Sequence, residues 1–254
     1  MIQLKESNLL LNDKVINFVM IPKIVHLTWK HKDILQADHP LITRGIGRLH
    51  YMNPDWTFIV SDDSDVDNYL KENLTSRGYK LIKDVHIVQK GDLWRLFKIY
   101  NEGGLYIDID RLCCVNLNTI FDEKTNWVLP TCRDYDFSQD FMMSSPGNPV
   151  FAKTIELFLQ RKNEGYENTY FLGAQTYMHS ITTMLCNRLI NTNPGIEVMN
   201  NIRSIINQMS FIKTYREDPP YDTIVYKGDD VKDLESLKRD FYAKSNIKHW
   251  TGEW

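Results

Sequence analysis

The stretch KGDLWRLFKIYNEGGLYIDID, residues 90–110, decides how the chain is read. Leu93, Leu96, Phe97 and Tyr100 recur at three- and four-residue spacing, so Gly91–Glu102 is predicted to be a helix with one apolar face. Gly103-Gly104 ends it, because glycine adopts left-handed backbone angles without steric penalty. Leu105–Ile109 then reads as a strand, with Ile107 and Ile109 alternating against Asp108 and Asp110. Strand side chains two apart share a face, so the two carboxylates are expected side by side.

Two like charges held together repel unless a cation lies near them. Mg²⁺ and Mn²⁺ suit such a pair. They take one or two protein carboxylates and fill their remaining positions with phosphate oxygens and water. The alternative is a pair of strand-end carboxylates satisfied by caps or by Arg111, and context alone leaves both open. Upstream, Asp92 and Arg95 are three apart and share a helix face. They form either a surface ion pair of small energetic weight or a sugar-binding pair. In the latter, Asp92 accepts from hydroxyls and the forked guanidinium of Arg95 donates.

Working outward, Lys23–Trp29 is predicted to be a first buried strand and Trp56–Val60 a second. Leu41–Met52 has helical spacing and stops at Asn53-Pro54. The acidic run Ser61–Asp67 can start a helix through Val66, Tyr69 and Leu70, and Val85–Val88 reads as a short strand. Val128–Leu129 and Phe141–Ser144 are further strand candidates, Phe151–Arg161 and Gln175–Ile190 read as helices, and Thr223–Tyr226 is a candidate late strand. The last sixty residues are less legible. Strands alternating with helices over the first 110 residues argue for an α/β fold with a largely parallel sheet. Ligands of such sheets gather beyond the carboxyl ends of the strands, where Asp108 and Asp110 fall. DxD itself is a weak pattern and occurs four times. The Asp63/Asp65/Asp67 cluster reads as a solvated face, and Asp134/Asp136 stays open.

The 254 residues suffice for a sizeable core, and 43% hydrophobic with 25% charged residues is ordinary for a globular chain. A net charge of −3 gives no basic footprint, which argues against nucleic acid as the main partner. Cys113, Cys114, Cys132 and Cys186 form no CxxC pair and read as thiols of a reducing compartment, with a cytoplasmic location expected. No stretch reaches the roughly 20 apolar residues of a membrane span. Residues 1–20 read as a lead-in rather than a signal peptide, since Asn12, Asp13, Lys14 and Asn17 interrupt their apolar residues. No basic amphipathic helix supports membrane attachment, although peripheral contact to reach a lipid acceptor stays open. Neither a P-loop nor a Rossmann glycine fingerprint is present.

IPKIVHLTWK (21–30), NPDW (53–56), KGDLWRLFKIYNEGGLYIDID (90–110) and FMMSSPGNP (141–149) occur in order. Together they resemble the glycosyltransferases with a DXD sugar-binding region. These include fungal initiating mannosyltransferases, α1,4-galactosyltransferases and capsular polysaccharide enzymes, with large clostridial toxin glucosyltransferase domains as distant relatives. The resemblance implies one GT-A domain over residues 21–254, with a Rossmann-like, mostly parallel central sheet flanked by helices. Its nucleotide-sugar part would cover about 21–130, and its acceptor part and C-terminal lid about 131–254. It also implies Mn²⁺ or Mg²⁺ and retention of anomeric configuration. A UDP-sugar is the favoured donor, with GDP-mannose the second choice, and the acceptor would be a saccharide, lipid-linked sugar or protein. Carried over by position, Asp110 would bind the metal, and Asp108 would contact donor and metal. Asp92 and Arg95 would hold the sugar, and Trp29 would lie near the base. In the terminal KHWTGEW, His249 would reach metal or phosphate while Trp250 or Trp254 covers the donor. The chain departs from the family pattern at Asp140, where Asn is common, and at Gly173-Ala174-Gln175, where Gly-Pro is common. Asp140 is thereby a further catalytic candidate, acting on acceptor or metal. No carboxylate is an obvious covalent nucleophile, which favours front-face substitution. The rivals are a nucleotide-sugar hydrolase or pyrophosphorylase, and a non-catalytic nucleotide-sugar-binding protein.

Overall fold

In the computed structural model, which describes residues 20–113, 115–132, 136–137, 139–186, 212–216 and 233–246, strand β1 (Ile24–Thr28) sits inside the sheet. Val25, His26 and Leu27 are all buried, as expected of a strand covered on both faces. β1 runs parallel to β2 (Thr57–Ser61) on one side and to β3 (Gly104–Ile107) on the other. β2 alternates in exposure and forms an edge. On its far side β3 pairs antiparallel with β6 (Phe141–Ser144), and β6 pairs antiparallel with β4 (Trp127–Cys132). β4 also pairs antiparallel with the short β5 (Asp136–Phe137) and parallel with β7 (Ile212–Arg216).

The sheet is therefore mixed, not mostly parallel as expected. The parallel strands β2, β1 and β3 are joined by helices, as their sequence pattern indicated. β4, β5 and β6 are separated by only a few residues, too few for the crossover that parallel pairing requires. Along this return, Thr131 pairs with Phe137 but Val128 pairs with Met143, so three steps on β4 face six on the returning chain. The surplus leaves the ladder around Gln139 and Asp140 as a bulge, a common device for re-aiming residues at a site.

Helices cover both faces. The central helix, numbered α5 in chain order, spans Ile87–Glu102. With α6 (Pro149–Asn163) and α8 (Ala174–Cys186) it encloses a core of Trp94, Phe97, Tyr106, Phe151, Phe158 and Tyr177. Between α6 and α8 lies the single turn α7 (Thr169–Leu172). On the opposite face α1 (Pro40–Arg44), α2 (Ile46–Met52) and α9 (Leu234–Lys244) bury Leu41, Ile46, Leu49 and Phe241 against Leu27, Leu105 and Ile107. α3 (Asp63–Asn73) and α4 (Ser76–Ile82) complete the first layer.

Several boundaries differ from expectation. Val85–Val88 is not a strand. His86 caps α5 by accepting from the Val88 amide, and Val85 and Ile87 pack on the helical core, so tertiary burial overrides β-branched propensity. The single helix expected over Leu41–Met52 is split at Gly45. A Cβ there would stand 2.6 Å from the Arg111 carbonyl oxygen, so the bare backbone admits the chain that follows Asp110. The Asp63–Asp67 cluster is used up locally. Asp62 and Asp65 form a reciprocal cap on α3, and Asp67 pairs with Lys90 and Tyr79. α4, β7 and α9 were not anticipated. Thr223–Tyr226 lies outside the described residues. No helix among the described residues is long and apolar enough to cross a membrane.

The Gly103-Gly104 stop has the positive φ values anticipated, +68° and +92°. The Gly103 carbonyl meets the Nε2 of buried His26 at 2.9 Å. A Cβ on Gly104 would lie 2.4 Å from the Ile24 carbonyl oxygen, so strain and collision coincide. Gly104→Ala is expected to cost about 2–4 kcal/mol by overpacking and backbone strain, read as a lower urea midpoint. An unchanged midpoint would contradict the close β1–β3 approach.

Candidate active site

The site begins where α5 faces the end of β3. Asp92 and Arg95, one turn apart, are joined at 2.7 Å, and Arg95 reaches Asp108 Oδ1 at 3.2 Å and the Gln139 carbonyl at 3.2 Å. Tyr106 donates its hydroxyl to the same Asp108 oxygen at 2.6 Å, and the Arg95 guanidinium lies over the Tyr106 ring. Asp92 and Arg95 are 3% and 7% exposed, so this is a buried network and not a surface pair. Such charges persist in an interior only when paired, and removing one partner leaves an uncompensated buried charge.

Asp92 is incompletely satisfied. Oδ2 is buried with no hydrogen-bond partner among the described residues, although Oδ1 is held by Arg95. Burial pushes its pKa up to about 6, with Asp108 adding to the rise and Arg95 opposing it. The orphan oxygen faces Gly173, where a Cβ would come within 2.7 Å of it and 3.2 Å of the Gln139 amide nitrogen. Gly173 thus leaves open the side of the carboxylate that Arg95 does not occupy.

Asp108 and Asp110 do not extend from one face of a strand, as period-two spacing predicted. β3 ends at Ile107, and Arg111 donates its amide to the Asp108 carbonyl, so the pair sits on a turn. Asp108 turns toward α5. Asp110 turns toward α9, where Lys238 Nζ lies 3.2 Å and the Tyr242 hydroxyl 3.4 Å from its Oδ2. The two carboxylates still share one field. The Tyr242 hydroxyl is pushed far above its usual range by burial first, then by Asp110 and by Asp108. Arg111 pairs with Asp140, whose backbone carbonyl accepts from the Asp108 amide at 2.9 Å. Asp140 is therefore within the site, charge-compensated by Arg111.

Trp29, one residue past β1, stacks on Phe241 at 5.1 Å between ring centroids and meets Tyr242 edge-on. It lines the same end of the sheet and lies partly exposed. His249, Trp250 and Trp254 lie outside the described residues. Asp108 and Asp110 supply hard carboxylate oxygens that fit Mg²⁺ or Mn²⁺, with donor phosphates and water completing the shell. Among the described residues no group of three or more metal-ligating side chains converges.

Tyr106, Gln139, Lys238 and Tyr242 were missed by sequence reasoning, and Gly173 was noted only as a departure from the family pattern. Period two from Asp108 could have found Tyr106. The i, i+4 relation of Lys238 and Tyr242 was readable, but nothing in sequence connects them with Asp110.

Residues 41–127 match the family described as "Glycosyltransferase sugar-binding region containing DXD motif". This window holds Asp92, Arg95, Asp108 and Asp110, and leaves out Trp29, Asp140 and α9. The matched window is similar to this DXD-motif family, and the chain is similar to fungal mannosyltransferases. It is 24% identical over 182 residues to inositol phosphoceramide mannosyltransferase 1 of Schizosaccharomyces pombe, covering 70% of this chain and 56% of that one. It is 29% identical over 152 residues to a mannosyl phosphorylinositol ceramide synthase of Saccharomyces cerevisiae, covering 58% of this chain and 38% of that one. The matches thus span little more than half of the first relative and well under half of the second. A solved structure, "PaToxG Glycosyltransferase", aligns with TM-score 0.48 and 17% identity over 73% of this chain and 75% of that one.

The raised pKa of Asp92 has a stability consequence. A carboxyl that holds its proton more tightly when folded contributes its full stability below the unfolded pKa, near 4, and loses it as pH rises through about 6. Asp92→Asn is expected to remove this loss, which amounts to about 3 kcal/mol at most. Urea midpoints at pH 4.5 and 7.5 for both proteins check it. Parallel pH dependences would contradict a buried, under-partnered carboxylate.

Proposed function

We propose that the protein is a metal-dependent hexosyltransferase, retaining in stereochemistry, that takes its sugar from a nucleoside-diphosphate donor. The observation that carries this reading is the buried Asp92 carboxylate, fixed by Arg95 on one oxygen and unpartnered on the other, beside the Asp108–Asp110 turn. An orphan buried carboxylate oxygen is costly in isolation, and a sugar hydroxyl is the kind of donor that would satisfy it. Relatives named for mannosyl transfer support a hexose and bring GDP-mannose level with UDP-sugars as the first donors to test. Their names also support a glycoconjugate acceptor.

In this reading Arg95 sets the geometry. Its fork fixes Asp92 and Asp108 together, and Tyr106 donates to the same Asp108 oxygen. Asp92 accepts from a donor hydroxyl, and Gly173 keeps that approach open. Asp110, with Asp108, would hold Mn²⁺ or Mg²⁺, which supplies neutralisation of the charge developing on the departing diphosphate. Trp29 offers an aromatic edge for the base, and His249, Trp250 and Trp254 would close over the diphosphate. Asp140 stands on the acceptor side, its charge balanced by Arg111. Most of the rate would come from positioning and fixed electrostatics. The acceptor hydroxyl would attack from the face the leaving group departs.

The test is donor turnover with Mn²⁺, with UDP- and GDP-hexoses assayed separately and products resolved into transferred and free sugar. Asp110→Asn is expected to lower turnover at least about 100-fold, and because it leaves the Lys238 ammonium without its carboxylate it also lowers the urea midpoint, a retained cooperative transition showing that the variant is folded. Undiminished turnover in that variant would end the assignment. Free sugar as the sole product, unaffected by added acceptor, would instead make the protein a hydrolase.

A further inference from the structure

Every carboxylate of the site is paired with a cation, and one of those cations comes from an unexpected place. Asp108 is held by Arg95 from α5, and Asp140 by Arg111 next to the turn. Asp110 is held by Lys238, from a helix 128 residues downstream. Both side chains of this pair are only 11% exposed. α9 is fastened at the donor end of the sheet by more than this contact. Phe241 stacks on Trp29 and lies against His39, Asp240 pairs with His39 at 3.0 Å, and Lys30 donates to the Ser245 carbonyl. Tyr242, one helical turn from Lys238, approaches the same Asp110 oxygen.

Resting on the donor reading above, we propose that Lys238 is a resident counterion of Asp110 that the divalent metal displaces, and that it then pairs with the donor diphosphate. The physical case is exclusion. Mg²⁺ binds a carboxylate oxygen at about 2.0–2.1 Å. The Lys238 ammonium, 3.2 Å from Asp110 Oδ2, would then stand against a doubly positive ion and be repelled. A displaced ammonium in so enclosed a position needs another anion. Arg95 and Arg111 already hold the neighbouring carboxylates, so the anion that arrives with the metal, the diphosphate, is its new partner. Metal alone must therefore compete with Lys238, while metal with diphosphate recruits it. This device couples binding of the two ligands and holds a bare metal weakly.

The two halves have opposite signs, which a merely structural lysine would not produce. Lys238→Met keeps the aliphatic stem and removes the charge. It is expected to bind Mn²⁺ alone about tenfold more tightly than wild type, and UDP or GDP at saturating Mn²⁺ about tenfold more weakly. Lys238→Arg is expected to restore nucleotide affinity. Calorimetric titration of the full chain with Mn²⁺, then with each nucleotide, reads both constants, and Asp110→Asn identifies the metal that binds at this site. Equal Mn²⁺ affinity in wild type and Lys238→Met, lost in both on Asp110→Asn, overturns the role of Lys238 but keeps the metal site. Weakening of both constants, or a change in one without the opposite change in the other, also overturns it. Absence of Mn²⁺ binding in wild type and Lys238→Met, with and without nucleotide, removes the donor reading and this proposal together.

Discussion

The geometry of the site depends on one buried guanidinium. Arg95 ties α5 to the turn after β3 by gripping Asp92 within its own helix and Asp108 across the gap, while donating to the carbonyl at Gln139. A lysine in its place would keep the charge but could not hold three acceptors in one plane. The arginine is affordable in the interior because the carboxylates balance its charge and the Tyr106 ring lies beneath it. The arrangement also determines which atoms stay available. By taking one oxygen of Asp92 and one of Asp108, Arg95 leaves the remaining oxygens to a ligand.

The two faces of the sheet contribute differently. The α5 face supplies a rigid, deeply buried frame in which Asp92, Arg95, Tyr106 and Asp108 hold one another. The opposite face supplies α9, attached through Trp29, His39, Lys30 and Asp110. Asp108 and Asp110 belong to these two faces respectively. A ligand spanning both carboxylates would therefore bridge the fixed frame and the C-terminal helix.

The sequence made this frame readable where local rules and tertiary structure agree. The helical period from Leu93 to Tyr100, the Gly103-Gly104 stop and the apolar run of β3 needed no distant partner to be recognised. Prediction failed where a distant contact decided. His86–Val88 joined α5 because the core takes up Ile87, and Gly45 split a helix because the Arg111 carbonyl passes it. The mixed sheet follows from short connections whose register only pairing reveals. The placement of Asp108 and Asp110 on a turn follows from β3 ending two residues earlier than its alternating pattern suggested. Lys238 and Tyr242 carry a helical spacing, but no sequence rule pairs residue 238 with residue 110.

The bulge on the returning strand has a consequence for how such a protein can diversify. Gln139 and Asp140 lie outside the β4 ladder, while β6 resumes its pairing with β3 and β4 immediately afterwards. The frame is held here through main-chain carbonyls, that of Gln139 accepting from Arg95 and that of Asp140 from the Asp108 amide, so the side chain at Gln139 can change with those contacts and the flanking registers intact. The strand pairs of the parallel half include neither residue. The architecture thus places a tolerant side-chain position beside a constrained chemical frame, so that what the site acts upon can drift while the way it acts is held still.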